Sequence, residues 1–301
     1  MKKTTVFILL IGIIFLISFN TYAYQTDIYF DKSYGDLELN LNPRSTTPGY
    51  STEYKLPLDT LVFKANFNEY IFKDWADYYS LTIGSNIIGT KTRNTKTINY
   101  IDNINNKVNT ITNETNYQTF YLDILLANYL LEYSTPEKTY LILIGYEYEN
   151  SVYSLTEGSI YDYSTSTTTN LNGEITDLDF QNHLVYLGMI FNKNITRTLK
   201  NKFVVKYSPY AYTKNSETNY YQNYQSKGSN QGSYMYVSDN IRYNLTKNMY
   251  LTGGLSYKLL NTTGDTERYY YGGANQGSTV NVDQELKSEQ YSINVGFQYL
   301  F

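Results

Sequence analysis

The clearest pattern of apolar and polar positions lies over residues 289–301. One parity reads Tyr291, Ile293, Val295, Phe297, Tyr299, Phe301; the other reads Gln290, Ser292, Asn294, Gly296, Gln298, Leu300. Successive strand side chains point to opposite faces. This is therefore a strand with one aromatic and aliphatic face and one small, polar face. The pattern recurs upstream. Over 60–68, Leu61, Phe63, Ala65 and Phe67 alternate with Val62, Lys64, Asn66 and Asn68. Tyr79, Leu81, Ile83, Ser85 and Ile87 define a third strand, and 120–131 a fourth with Asp123 on the inward parity. In the fifth, Tyr140, Ile142, Ile144, Tyr146 and Tyr148 oppose Leu141, Leu143, Gly145, Glu147 and Glu149. Val185, Leu187, Met189 and Phe191 oppose Tyr186 and Gly188 in the sixth; Phe203, Val205 and Tyr207 oppose Lys206 and Ser208 in the seventh. The eighth runs to about Leu245, with Arg242 and Asn244 inward and Asp239 on the apolar parity. The ninth carries Leu251, Gly253, Leu255, Tyr257 and Leu259 outward. A weaker alternation over 34–42, Leu37, Leu39 and Leu41 against Asp36, Glu38 and Asn40, marks the first strand.

Short connections at 72–77, 132–138, 192–201 and 244–248 alternate with polar stretches at 43–50, 164–177, 213–233 and 261–284. The last of these is glycine-rich at Gly272, Gly273 and Gly277; the Thr/Asn/Lys-rich 90–117 reads as a strand extension followed by a mobile loop. Apolar-out, polar-in strands joined by alternating short turns and long loops predict an all-β fold, a transmembrane antiparallel up-and-down barrel. Ten strands are expected, with eight and twelve the neighbouring even counts. Trp75 is expected in the lower aromatic belt, and Asp239 at the upper interface or beside a bulge.

The N-terminus bears on location. Lys2 and Lys3 precede an apolar run from Val6 to Phe19, and Thr21-Tyr22-Ala23 supplies a small-residue cleavage site. Residues 1–23 are read as a secretory signal peptide and 24–301 as the barrel. An exported chain ending in an aromatic strand resembles the bacterial outer-membrane barrels. The resemblance implies the cell outer membrane as location, its lipid as partner, and the barrel-assembly machinery as reader of the strand ending at Phe301. Absence of cysteine excludes disulfides and thiol chemistry. The 37 tyrosines suit two membrane interfaces. A formal net charge of −4 argues against nucleic acid as a partner.

Ten long strands, the run Tyr140-Leu141-Ile142-Leu143-Ile144-Gly145-Tyr146-Glu147-Tyr148, and Val185-Tyr186-Leu187-Gly188 resemble the omptin family of outer-membrane proteases. The resemblance implies an Asp–Asp pair facing a His–Asp pair across a water above the membrane. Here the corresponding stretches, 94–106 and 213–224, offer Asp102 and Glu217, and no histidine. The sole histidine, His183, falls on the lipid parity of the sixth strand. A general base must reach the reacting proton, so the family's catalytic residues are read as missing. The family's lipopolysaccharide contact, a Tyr-x-Glu-x-Arg run, meets Tyr148-Glu149-Asn150-Ser151-Val152 and is not carried over.

Lys64, Asp123, Glu147, Glu149, Lys206 and Arg242 share the inward parity, and paired charges filling a narrow lumen account for them. No metal-ligand cluster, phosphate loop or cofactor motif is evident. The expectation is a non-enzymatic surface barrel without cofactor, metal or catalytic residues, displaying polar loops to extracellular ligands. A small porin-like channel and an altered omptin-type endopeptidase using Asp102 and Glu217 are the alternatives.

Overall fold

A computed structural model describes residues 25–43, 51–73, 76–86, 90–101, 106–130, 133–135 and 137–300. The signal segment 1–23, Trp75, Asp102 and Phe301 lie outside the described residues. The described chain forms one antiparallel sheet of twelve strands: β1 (Gln25–Pro43), β2 (Ser51–Pro57), β3 (Thr60–Lys73), β4 (Ala76–Asn86), β5 (Thr90–Ile101), β6 (Asn106–Tyr129), β7 (Lys138–Asp162), β8 (Thr167–Asn194), β9 (Leu199–Asn219), β10 (Tyr224–Asn244), β11 (Met249–Tyr270) and β12 (Thr279–Leu300). Pairing of β12 with β1 closes the sheet into a barrel. The ring has ten positions. β1 pairs β3 over its first half and β2 over its second, while β6 pairs β5 above and β4 below. Thus β2 and β5 continue the wall above β3 and β4, and the expectation of ten strands around the ring holds. The end bearing the two chain termini is called lower here.

Facing follows the sequence alternation in the lower half. Ile142, Ile144, Val185, Leu187, Leu255, Ile293 and Val295 are exposed on the outer face. Above this band the polarity of the two faces inverts. On β1 the inward residues change from Asp31 and Ser33 to the buried Leu37, Leu39 and Leu41, while the outward ones change from Ile28, Phe30 and Tyr34 to Asp36, Glu38 and Asn40. Gly35 marks the changeover: its φ is +147°, and a Cβ there would collide with the Glu289 carbonyl. β12 inverts at the same level, from Val295 and Ile293 outward to Lys287 and Glu285 outward, with Leu286 and Val282 buried inside. A strand wrapped in lipid outside must be apolar there; one wrapped in water must bury its apolar face inward.

This inversion corrects the expected loops. Residues 164–177, 213–233 and 261–284 are mostly strand: the upper connections shrink to 163–166, 220–223 and 271–278. β8 has 28 residues, whereas about 9–11 tilted residues cross a bilayer. Most of its length therefore stands above the apolar band. Asp162 caps the first of these turns, accepting the Ser164 N–H at 2.8 Å and the Thr165 N–H at 3.1 Å. The Ser164 hydroxyl and these amides hold its carboxyl below the usual range.

A second correction concerns Asp239. It is neither at the upper interface nor beside a bulge. It stands exposed in the lower half of β10, directly opposite Phe203 and Leu255, away from the irregularity at Gly232/Tyr234.

Candidate functional site

The barrel interior is filled in tiers. At the base of one wall Leu125, Ala127, Leu141, Leu143, Ile190 and Val204 form an apolar cluster with Tyr78 and Tyr186. Above it lies a charged tier. Lys206 binds Asp123 at 2.5 Å and reaches Glu147 at 3.8 Å; Lys258 binds Glu147 at 3.0 Å and Glu149 at 2.6 Å. Lys64 binds Asp31 at 2.6 Å. Tyrosines complete the shell: Tyr234 donates to Glu147 at 2.8 Å, Tyr121 to Glu147 at 3.2 Å, and Tyr186 to Asp123. Buried charges persist only when paired and hydrogen-bonded, and these are. Above this tier Leu37, Leu39, Leu41, Leu56, Tyr153, Phe180, Leu260 and Leu286 belong to a second, larger apolar cluster.

Of the inward residues expected from sequence, Asp123, Glu147, Glu149 and Lys206 meet in one network, and Lys64 joins Asp31 beside it. Arg242 does not join them. It sits lower, 5.8 Å from the Tyr250 ring, and lines a cavity of about 150 Å³ that Asp27, Lys64, Asp123 and Lys206 also border. Lys258 and Asp31 were missed. Lys258 lies between Tyr257 and Leu259 on the inward parity of the ninth predicted strand, so parity alone would have found it.

Near the upper mouth a different cluster surrounds Glu217, which is 2% exposed. Its carboxylate accepts hydrogen bonds from the hydroxyls of Tyr54, Tyr224 (2.5 Å) and Ser226 (3.1 Å). Arg268 stacks on the Tyr224 ring at 4.1 Å. Burial, then the Glu217 charge, raises the Tyr54 hydroxyl well above its usual range, so it stays a donor. Glu217 is thus not on a solvated loop. By strict alternation it shares the outward parity of Phe203 and Val205. A bulge resets the count: Ala211 pairs with Leu184 and Gly232, but Tyr207 pairs with Leu187 and Ser208 with Tyr234, leaving one extra residue at Pro209-Tyr210. Tyr210 is pushed out to 82% exposure and every second residue from Ala211 turns inward. A bulge re-aims side chains in this way.

His183 is on the outer face, as its parity indicated. The Tyr146 hydroxyl lies 2.7 Å from its Nδ1, and the rings of Tyr148 and Tyr212 flank it at 5.2 and 6.1 Å. It belongs to an outer aromatic belt, on the opposite side of the wall from Glu217. In the 148–152 stretch, Glu149 turns inward to Lys258 and Asn150 binds Asp179 at 3.3 Å.

A closed ring of ten positions with an apolar outer band defines a transmembrane β-barrel. Among solved structures, the chain resembles the outer membrane protease OmpT from Escherichia coli, with a TM-score of 0.79, 14% identity, and coverage of 94% of this chain and 98% of that one. The outer membrane protein OprG from Pseudomonas aeruginosa is a looser likeness, with a TM-score of 0.42, 11% identity, and coverage of 93% and 95%. No family model matches the sequence, and no curated protein does either. At 14% identity the likeness to OmpT is one of fold.

Proposed function

We propose that the protein is an integral barrel of the bacterial outer membrane that neither conducts nor cuts, and that acts by holding a rigid, polar wall and mouth above the membrane for contact with extracellular partners. The apolar outer band, its inversion to polar above, and the likeness of fold support the location. One observation carries the rest: the charged tier lies between two apolar clusters inside the barrel, and its acids and lysines are already paired with one another. A porin lumen is water-filled and polar. The endopeptidase alternative gains no support, since Glu217 is occupied by three hydroxyls and His183 is on the outer face. In this reading the extracellular ligand, expected from sequence to meet loops, meets the strand surface of the wall instead. The test is planar-bilayer recording with purified protein. No steady steps are expected; large, reproducible steps would establish a pore and reject the sealed barrel.

A further inference from the structure

The lower lumen is charged differently from the tier above it. In the tier, acids and lysines meet in pairs. Below it, the inward ionisable residues on the described strands are Lys200, Lys202, Arg242 and Asp27, three cations to one acid. Lys200 and Arg242 stand directly opposite each other on β9 and β10. Like charges in that position are unfavourable. Both lie over the Tyr250 ring, at 5.9 and 5.8 Å, and neither makes a hydrogen bond or an ion pair among the described residues. Asp27 attracts Arg242 and Lys202, but it brings one charge against three, and its carboxylate already accepts from Asn68 at 3.1 Å and from Gln298.

Arg242 and Lys202 border the cavity of about 150 Å³, with Asn240, Thr252 and Asn294 between them. Its upper end is the Lys206–Asp123 pair, where Lys206 also lies over the Tyr236 ring at 5.3 Å. Its lower end is the rim of the barrel, because Asp27, Lys202 and Arg242 each fall within four residues of a strand end. The cavity is a blind vestibule. At roughly 30 Å³ per water it has room for about five waters.

We infer that this vestibule binds a free oxyanion the size of phosphate, entering from the end that bears the chain termini. The Arg242 guanidinium offers a planar fork that fits two oxygens of such an ion, and Lys202 adds a point charge. The Thr252 hydroxyl, directly opposite Arg242 on β11, adds a neutral donor. Lys64 and Lys206 are held by their own acids, so the ion is drawn to Arg242 and stops below the tier. The volume admits the ion and a few waters, and it excludes a peptide, an oligosaccharide or the glycerol and chains of a lipid. The site is separate from the upper wall assigned to extracellular contact, and the inference does not depend on that assignment.

Phosphorus NMR of inorganic phosphate, titrated with the protein in non-ionic micelles, reads the binding. Saturable broadening is expected. Arg242→Gln is expected to weaken it about tenfold, the effect of roughly one charge-assisted contact. Asp27→Asn is expected to tighten it, because the one acid that competes for Arg242 and Lys202 is neutralised. Lys247→Gln, in the exposed turn after β10 and outside the cavity, is expected to change nothing. The heat-modifiable folded band on electrophoresis checks each variant, and Asp27→Asn decides alone should Arg242→Gln not fold. Glycerol phosphate separates a free ion from a headgroup, and it is expected to bind less tightly than inorganic phosphate. No saturable binding by the unaltered protein would overturn the inference. So would equal weakening by Lys247→Gln and Arg242→Gln, unchanged or weaker binding in Asp27→Asn, or tighter binding of glycerol phosphate.

Discussion

Glu147 of β7 and Lys258 of β11 meet inside the barrel at 3.0 Å, both buried, bridging strands 111 residues apart in sequence. Neither strand neighbours the other in the sheet. The contact ties opposing walls through the lumen rather than along the ladder. Its energetics depend on the whole tier. Asp123, Glu147 and Glu149 share Lys206 and Lys258. Removing Lys258 leaves three acids to one lysine, whereas removing Glu147 leaves two of each.

Lys258→Met should therefore destabilise the barrel by about 3–5 kcal/mol, the cost of stranding a buried charge. Glu147→Gln should cost about 1–3 kcal/mol, the loss of hydrogen bonds in a set that is left with two acids and two lysines. Urea unfolding in micelles measures both. Equal costs would mean that the ratio of acids to lysines in the tier does not set the cost.

Closure is expected to depend on Gly296. It faces the lumen on β12, where β12 pairs with β1, and a Cβ there would run into the Ile28 carbonyl and the Tyr29 Cβ. Those are backbone and near-backbone atoms, which cannot swing away. Gly296→Val should hold β1 and β12 apart and leave two open edges, an aggregation hazard. The expected readout is loss of the heat-modifiable folded band on electrophoresis. Gly253→Val, where only the Asn294 carbonyl approaches, at 3.6 Å, should fold normally.

Hydrogen exchange should separate strand from loop in the upper barrel. Residues 176–182, 211–219 and 224–232 are polar, yet their backbones are laddered on both sides. They should exchange slowly in micelles, while 163–166, 220–223 and 271–278 exchange fast. Fast exchange across the whole of 213–233 would restore a loop there.

Much of this fold is legible in the alternation of residues: the closed ring, the outward Ile142, Ile144, Val185 and Leu187, and the inward Glu147 and Lys206 all follow from parity. Two things are not. The upper strands look like loops because Thr, Ser and Asn on a water-facing surface carry no apolar signal, and the apolar residues that remain, such as Leu37 and Val282, face inward instead of outward. Glu217 falls in a stretch read as a loop, and a strand count would have faced it outward too, because a one-residue bulge at Pro209-Tyr210 reverses the parity of everything after it. A period-two count cannot reveal an insertion in its own period. The charge-tier partners beyond one hairpin, such as Glu147 and Lys258, depend on how the ring closes and not on local sequence.

The last prediction concerns chemistry. Peptides with paired basic residues should not be cleaved above the buffer rate. Activating a water at neutral pH calls for an acceptor such as histidine within reach of it. His183 is bound to Tyr146 on the outer face. Glu217 has the opposite problem: it is inside, and Tyr54, Tyr224 and Ser226 already donate to its carboxylate. Asp102 lies outside the described residues, and the chain's single histidine is His183. Mass spectrometry of the incubated peptides gives the result. If cleavage occurs, Glu217→Gln and Asp102→Asn decide its origin: loss in either would establish an altered hydrolytic set at the mouth and reject the sealed, non-catalytic barrel. In its absence, Glu217→Gln should instead act on stability alone, by about 1–3 kcal/mol, because three buried hydroxyl donors lose a charged acceptor and gain a weaker one.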